Sequence, residues 1–164
     1  DFITRNENII KKFKDCGLEA IFVGIESFRQ EELNNFNKRC SVEINEKAIN
    51  ILNANEVDCY AGIIVGPDWS TGDFKNLSKW MVKMNIMFAN IQPLVPLPGT
   101  VIFKEYKDQL LIDKEECEKW DLTHIVIKPT KMTVFMYYFE IIKAYFWSTL
   151  SLRTYIYISK KYVN

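Results

Sequence analysis

Apolar residues recur along this chain in two alternating rhythms, and their order predicts a run of strands and helices. In "ENIIKKFKDCG", Ile9, Ile10, Phe13 and Cys16 fall on one helical face, and Gly17 closes the helix. "EAIFVGI" follows, short and continuously apolar, the pattern of a strand buried on both faces of a parallel sheet. Two helical stretches, "RQEELNNFN" and "NEKAINILNAN", flank the turn "KRCS", and the second carries Ala48, Ile49 and Leu52 on one side. "VDCYAGIIVG" reads as the second strand. Ser70 and Asp73 then have the spacing of a capping box, ahead of a stripe of Phe74, Leu77, Trp80 and Met81. "IMFANIQPL" gives a third strand, "HIVIKP" a further strand-like run, and residues 132 to 150 a last helix.

Strands and helices that alternate through short loops are the mark of right-handed βαβ units and a parallel sheet. Three such strands are too few for a closed barrel of eight units, which takes roughly 250 residues. An open sheet of this size has bare edges that recruit other strands. The expectation is a sheet completed by missing N-terminal sequence or by a second copy of the chain. The chain opens at Asp1, without methionine or signal peptide, and reads as a piece of an intracellular protein.

Composition narrows the partners. With 48% hydrophobic and 26% charged residues in 164, the chain has a globular make-up. Basic and acidic residues balance at 21 each, so net charge gives no argument for nucleic acid. The balance is uneven in position, because residues 125 to 164 hold six of the basic residues and a single acid. The result is an acidic body followed by a basic, aromatic tail. Cys16, Cys40, Cys59 and Cys117 lie far apart and form no metal-binding spacing, so no metal ligand or catalytic residue is assigned. His124 has no second ligand near it, and "DKEECEK" with Asp113 and Asp121 reads as a solvated helical face.

Ligands of parallel sheets gather beyond the C-terminal ends of the strands. Those ends are "GIES", "GIIVGPD" and "QPLVPLPGT". Glu26 could meet an ammonium group or ribose hydroxyls there, or be a helix-leading acid paired with Arg29. Gly62 and Gly66 interrupt an apolar strand, which suits either close approach of a flat ring or relief of crowding between helix and sheet. Pro93, Pro96 and Pro98 stop the ladder and stiffen the main chain into a shelf suited to a base edge, or simply into a structural loop.

"FVGIES", "LNNFNK", "AGIIVG" and "QPLVPLPGT", in this order and spacing, together with "WDLTHIVIKP", resemble the second half of a radical S-adenosylmethionine (radical SAM) domain. The likeness is to the group with a cobalamin-binding domain ahead of the barrel, typified by anaerobic magnesium-protoporphyrin ester cyclases and hopanoid-modifying enzymes. It implies an α/β fold, part of a TIM-like barrel over residues 1 to 128 with a helical tail at 129 to 164.

In that family a CxxxCxxC loop holds a [4Fe–4S] cluster, whose open iron takes the methionine part of S-adenosylmethionine, and one-electron reduction gives a 5′-deoxyadenosyl radical. By position, the resemblance implies that Glu26 and Ser27 face the amino group or ribose and Lys38 the carboxylate. Gly62, Ile64 and Gly66 match the GxIxG strand against adenine, and Val95 and Pro96 the shelf at its edge. Trp69 stands where the pattern ends in an acid, with Asp68 beside it. The cysteine loop is absent from this sequence, so the cluster would be held by the missing N-terminal part and cobalamin by a domain further upstream.

The whole protein is then a cytoplasmic enzyme of radical chemistry on a small-molecule or lipid-like substrate, and this chain alone is inactive. Two other readings stand beside it: a nucleoside-binding or scaffold module without the cluster, and an unrelated β/α protein for another nucleotide, although no phosphate-binding glycine loop is present. "TVFMYYFEIIKAYFWSTL" is apolar nearly all round, with Glu140 and Lys143 as a narrow polar stripe. It suits a helix wedged between two protein layers, or peripheral docking on a membrane surface.

Overall fold

In a computed structural model, which describes residues 1–36 and 38–163, the three apolar runs become parallel strands β1 (Ala20–Glu26), β2 (Asp58–Val65) and β3 (Phe88–Pro93), in the order β1-β2-β3. They form an open sheet. Register runs Ala20 to Asp58 and Tyr60 to Phe88, with a slip between Gly24 and Glu26. Asn37 and Asn164, including the asparagine inside the "LNNFNK" motif, lie outside the described residues.

The helices cover one face of this sheet. Helix α1 (Phe2–Arg5) leads into α2 (Glu7–Asp15), which ends where Gly17 takes a positive φ of 100°. Helices α3 (Gln30–Asn35) and α4 (Val42–Ala54) join β1 to β2, and α5 (Thr71–Lys83) joins β2 to β3. Ser70 starts α5 by giving its amide and hydroxyl hydrogens to Asp73, each at 2.7 Å. Two of the predicted stripes are buried as expected, Ala48, Ile49 and Leu52 from α4 and Phe74, Leu77, Trp80 and Met81 from α5, whereas in α2 only Ile10 is buried, Ile9 is half-buried, and Phe13 and Cys16 are exposed. The α4 and α5 stripes pack on Ile25, Ala61, Ile63, Val65, Ala89 and Ile91 from the sheet.

The opposite face is left bare. Phe22 and Tyr60 are exposed, and Gly62, Ile64, Asn90 and Gln92 are half-buried. All three strands alternate as strands covered on one side only, so β1 is not buried on both faces as its continuous apolar run predicted. On the covered side, Ile21 and Val23 of β1 are half-buried whereas Ile63 and Val65 of β2 are buried, as an edge strand requires.

Past β3 the chain runs through α6 (Val101–Tyr106) and two 3-10 turns, Lys107–Gln109 and Cys117–Lys119. "HIVIKP" is not a strand. Ile125, Val126 and Ile127 are buried, but their backbone meets mixed partners: the Ile125 amide gives its hydrogen to Tyr138 Oη at 2.9 Å, and only one antiparallel bridge, Leu110 to Ile127, forms. "DKEECEK" is solvated but turns rather than continuing as a helix. His124 is half exposed, its Nδ1 3.0 Å from Asp121 Oδ2.

Helix α7 (Val134–Ser148) runs beside α5 and β3, and α8 (Leu152–Ile158) turns under the N-terminal ends of the strands. The polar stripe of α7 points inward: Glu140 is buried and accepts from Lys143 Nζ at 2.8 Å. The helix is therefore covered on one side, not wedged between two layers. Its body-facing residues are Tyr137, Glu140, Ile141, Ala144 and Ser148, and Phe135, Phe139, Ile142 and Phe146 face outward.

Candidate functional site

The C-terminal ends of the strands open onto one mouth, and the backbone of β1 is bent there. Glu26 has φ 65°, in the left-handed region that is costly for a side chain with a Cβ, at the register slip between β1 and β2. The kink carries the Glu26 carboxylate back over Gly24: a Cβ added to Gly24 would lie 2.8 Å from Glu26 Oε1. Lys38 Nζ stands 2.8 Å from the same oxygen. Glu26 and Lys38, expected to serve different groups of a ligand, thus meet each other on the bare side of the sheet, and Arg29 is not Glu26's ion-pair partner. With both side chains partly in water, such a pair contributes about 0 to 1 kcal/mol, so it opens at little cost.

Arg29 serves a second cluster. Its guanidinium bonds Glu32 and Asp73, the latter at 3.1 Å, and lies 4.9 Å above the Trp69 ring. Trp69 is fully buried, edge-on to Phe28 and Phe74, and its indole N–H donates to Glu32 Oε1 at 2.5 Å. Ser27 is also fully buried. Its hydroxyl donates to Glu32 and accepts the Arg29 amide at 3.0 Å, which ties the start of α3 to β1. Burial alone would raise the Asp73 carboxyl, but the Ser70 amide and hydroxyl and the Arg29 charge bring it below the ordinary range. The Ser27 hydroxyl is therefore buried against Glu32 and Arg29, beneath the mouth.

Gly62 lies on the bare face, and a flat ring does rest against it. That ring is Phe22, whose Cζ would be 2.7 Å from a Cβ at position 62. Phe22 packs edge-on to Tyr60, with centroids 5.3 Å apart, and remains 58% exposed. Ile64 is the next residue along the same face. The Gly66 carbonyl accepts from Tyr137 Oη at 2.7 Å, which fixes the end of β2. Pro93 pairs with Val65 as the last residue of β3, so the ladder stops after the first proline of the run, not before it. Val95 is half-buried and Pro96 buried in the loop beyond, and Thr100 ends the loop by accepting the Phe103 amide of α6 at 3.2 Å.

A depression of about 380 Å³ lies between this loop and α3, with Arg29, Glu32, Asp68, Leu94 and Tyr106 on its walls. Glu32 and Tyr106 were not singled out by sequence reasoning, and Arg29 was named only as a partner for Glu26. Arg29 and Glu32 look like ordinary helix-leading charges, and only the fold shows that Trp69 gathers them. Burial, with the nearby carboxylates, raises the Tyr106 phenol, which keeps it a neutral donor.

The donor set at Glu26 and Lys38, one carboxylate beside one ammonium, fits a zwitterionic amino-acid end such as that of S-adenosylmethionine. The cysteines do not fit an iron–sulfur cluster: Cys59 is buried, with a thiol that burial pushes up to about 12, and Cys16 and Cys117 are exposed. Among the described residues no three His, Cys, Asp or Glu side chains converge.

No family model matches the chain. It is 28% identical over 162 residues to Bacteriochlorophyllide d C-8(2)-methyltransferase of Chlorobaculum tepidum, a match that covers 94% of this chain and 36% of that protein. It is 28% identical to Hopanoid C-3 methylase of Methylococcus capsulatus, over 87% of this chain and 27% of the relative. It is 27% identical to Anaerobic magnesium-protoporphyrin IX monomethyl ester cyclase of Cereibacter sphaeroides, over 80% and 21%. These are proteins of the group to which the motifs pointed, and the chain is a relative of the cobalamin-binding radical SAM proteins. It spans roughly a third or less of the length of each of these three curated relatives.

Proposed function

We propose that the chain is the C-terminal part of a radical SAM barrel and supplies the side of it that binds the adenosine and amino-acid ends of S-adenosylmethionine. The observation that carries this reading is the bare face of the parallel sheet, with the Glu26–Lys38 pair at its C-terminal end, in a chain related to proteins of that family. S-adenosylmethionine bound to a [4Fe–4S] cluster supplies the radical chemistry in such enzymes. This chain's own residues bind and orient.

Lys38 turns from Glu26 to the ligand carboxylate, and Glu26 takes the ligand ammonium or a ribose hydroxyl. Each charge lost from the internal pair is regained across the ligand. Ile64 lies against adenine beside Gly62 once Phe22 has moved off the glycine. The main chain around Val95 and Pro96 offers its remaining carbonyl and amide groups to the adenine edge, held by the restricted φ angles of Pro96 and Pro98. Ser27, Arg29, Glu32 and Trp69 are positioning residues, which hold the kink at Glu26 from below.

The missing N-terminal part would bring the cluster ligands and the strands that close the barrel against β1, and in this group cobalamin would come through an upstream domain. The substrate is an organic small molecule or a lipid-like one, and no nucleic acid is involved. Among the described residues no helix is long and apolar enough to cross a membrane, and the proposed place of action is the cytoplasm.

Anaerobic reconstitution of the longer gene product with iron and sulfide, followed by assay of 5′-deoxyadenosine, tests the reading. Formation of 5′-deoxyadenosine from S-adenosylmethionine is expected. A reconstituted protein that holds a cluster and yields none would overturn it, and a longer product with no cluster would leave the nucleoside-binding module instead.

A further inference from the structure

The outer side of the tail has a character that the adenosine site does not use. Phe135, Phe139, Ile142 and Phe146 follow one another at intervals of four, three and four residues, so they form a single stripe on the outer face of α7. All four project into solvent, from 47% exposed at Phe139 to 76% at Phe135. Trp147 at the end of α7, and Leu152 and Tyr155 of α8, extend the patch with similar exposure. Apolar patches of this kind on a folded protein mark an interaction surface.

Charge says which surface would cover it. On the outward side of α5, Lys75, Lys79 and Lys83 reach solvent. Both acids of α5 and α7 are neutralised: Glu140 is buried against Lys143, and Asp73 is bound by Arg29 and Ser70. The other acidic residues of the molecule lie on other elements, among them Glu31, Glu43, Glu105 and Glu115, and Glu46 of α4 accepts the Trp80 indole hydrogen at 2.8 Å. Between α5 and α7 runs a groove of about 520 Å³, with Phe74, Val82, Ala144 and Trp147 as its apolar floor, Lys75 and Lys79 on its rim, and Glu140 in its wall with its charge taken up by Lys143. An apolar floor with a lysine rim matches an acyl chain beneath an anionic headgroup.

We propose that the α5–α7 face docks on the surface of an anionic phospholipid bilayer, with the aromatic stripe in the interfacial layer and the groove between the helices receiving part of one lipid. No described helix spans a bilayer, so the contact is peripheral. The face is separate from the Glu26–Lys38 mouth, so the docking stands or falls apart from the adenosine reading.

Co-flotation of the protein with phosphatidylglycerol-containing vesicles and with pure phosphatidylcholine vesicles tests the proposal. Binding to the anionic vesicles alone is expected. A Lys75→Ser/Lys79→Ser variant should bind at least about tenfold more weakly, since each basic residue near an anionic surface contributes roughly fivefold. A Phe139→Ser/Ile142→Ser variant should also detach. Because all four side chains reach solvent, circular dichroism should show both variants folded. Vesicles should shift Trp147 emission to the blue, a change that Trp147→Phe removes. No flotation, equal binding to both vesicle types, or binding that survives both double substitutions would overturn the proposal. So would a dimer, in sedimentation, that needs Phe139 and Ile142 and forms instead of the vesicle complex.

Discussion

The two edges of the sheet are treated in opposite ways. Along β3 the Leu94 amide turns inward to Val65, so the odd-numbered residues face outward, and the tail meets them there. Tyr145 Oη accepts the Ile91 amide at 2.8 Å and donates to the Ile91 carbonyl at 3.1 Å, and Pro93, also on that side, has no amide hydrogen to satisfy. Along β1 the Glu19 carbonyl turns inward to the Asp58 amide, so Ala20, Phe22 and Gly24 direct their backbone outward. No described strand or helix pairs with that edge. One edge is capped and the other is open, and the open edge is where the proposed upstream strands would belong.

The closed edge should be the costly one to damage. Tyr137 is buried, packs edge-on to Phe74 and hydrogen-bonds the Val65 and Gly66 carbonyls. Tyr137→Ala should destabilise the fold by about 3 to 5 kcal/mol in denaturant titration, the range for truncating a buried aromatic residue. Tyr145→Phe should cost about 1 to 3 kcal/mol, because it strands a donor and an acceptor on Ile91. Hydrogen exchange should show the Ile91 amide protected in the native protein and released in this variant, whereas the Phe22 amide exchanges quickly in both.

A smaller effect comes from the tail's other anchor. Tyr157 and Tyr162 both donate to the buried Asp58 carboxylate, and Lys161 Nζ lies 3.1 Å from it. Burial and the Asp58 charge raise both phenols, Tyr162 to about 12. The folded state thus holds these protons more tightly than the unfolded chain. The stability they contribute is whole below the ordinary tyrosine value of about 10 and is lost as pH rises through the folded values. Tyr162→Phe should lower neutral-pH stability by about 1 kcal/mol and flatten the alkaline loss above about pH 10. An unchanged alkaline limb would break this assignment.

The open edge should yield the least change in stability and the clearest change in association. Phe22→Lys should shift stability by no more than about 0.5 kcal/mol, because the position is mostly in water. Light scattering should show the native chain self-associating and the variant doing so less, as lysine on an edge strand deters pairing. A well-behaved native monomer with slow exchange along β1 would mean that the sheet is complete.

Much of the architecture was legible because burial imposes periodicity. The stripes of α4 and α5 and the three strands sit where the apolar pattern put them, within about two residues at strand ends. "HIVIKP" misled because buried apolar residues look alike whether their amides meet a strand or a tyrosine hydroxyl. The inward turn of Glu140 and the outward turn of Phe139 were hidden, since a helix apolar all round gives no phase. At the mouth, the pairing of Glu26 with Lys38 depends on a backbone kink, and the gathering of Arg29 and Glu32 on a tryptophan far off in sequence. Neither leaves a local pattern.

We propose that S-adenosylmethionine binds at the kinked end of β1. Calorimetric titration of that ligand into the longer gene product and its Glu26→Ala and Glu116→Ala variants tests it most directly. Glu116 is a surface acid paired with Lys119, remote in role from the mouth. Loss of a charge-assisted hydrogen bond at Glu26 should weaken binding by about 1.5 to 3 kcal/mol, roughly tenfold to over a hundredfold, whereas Glu116→Ala should leave it unchanged. Equal affinities for the two variants would contradict the account and remove Glu26 from the site.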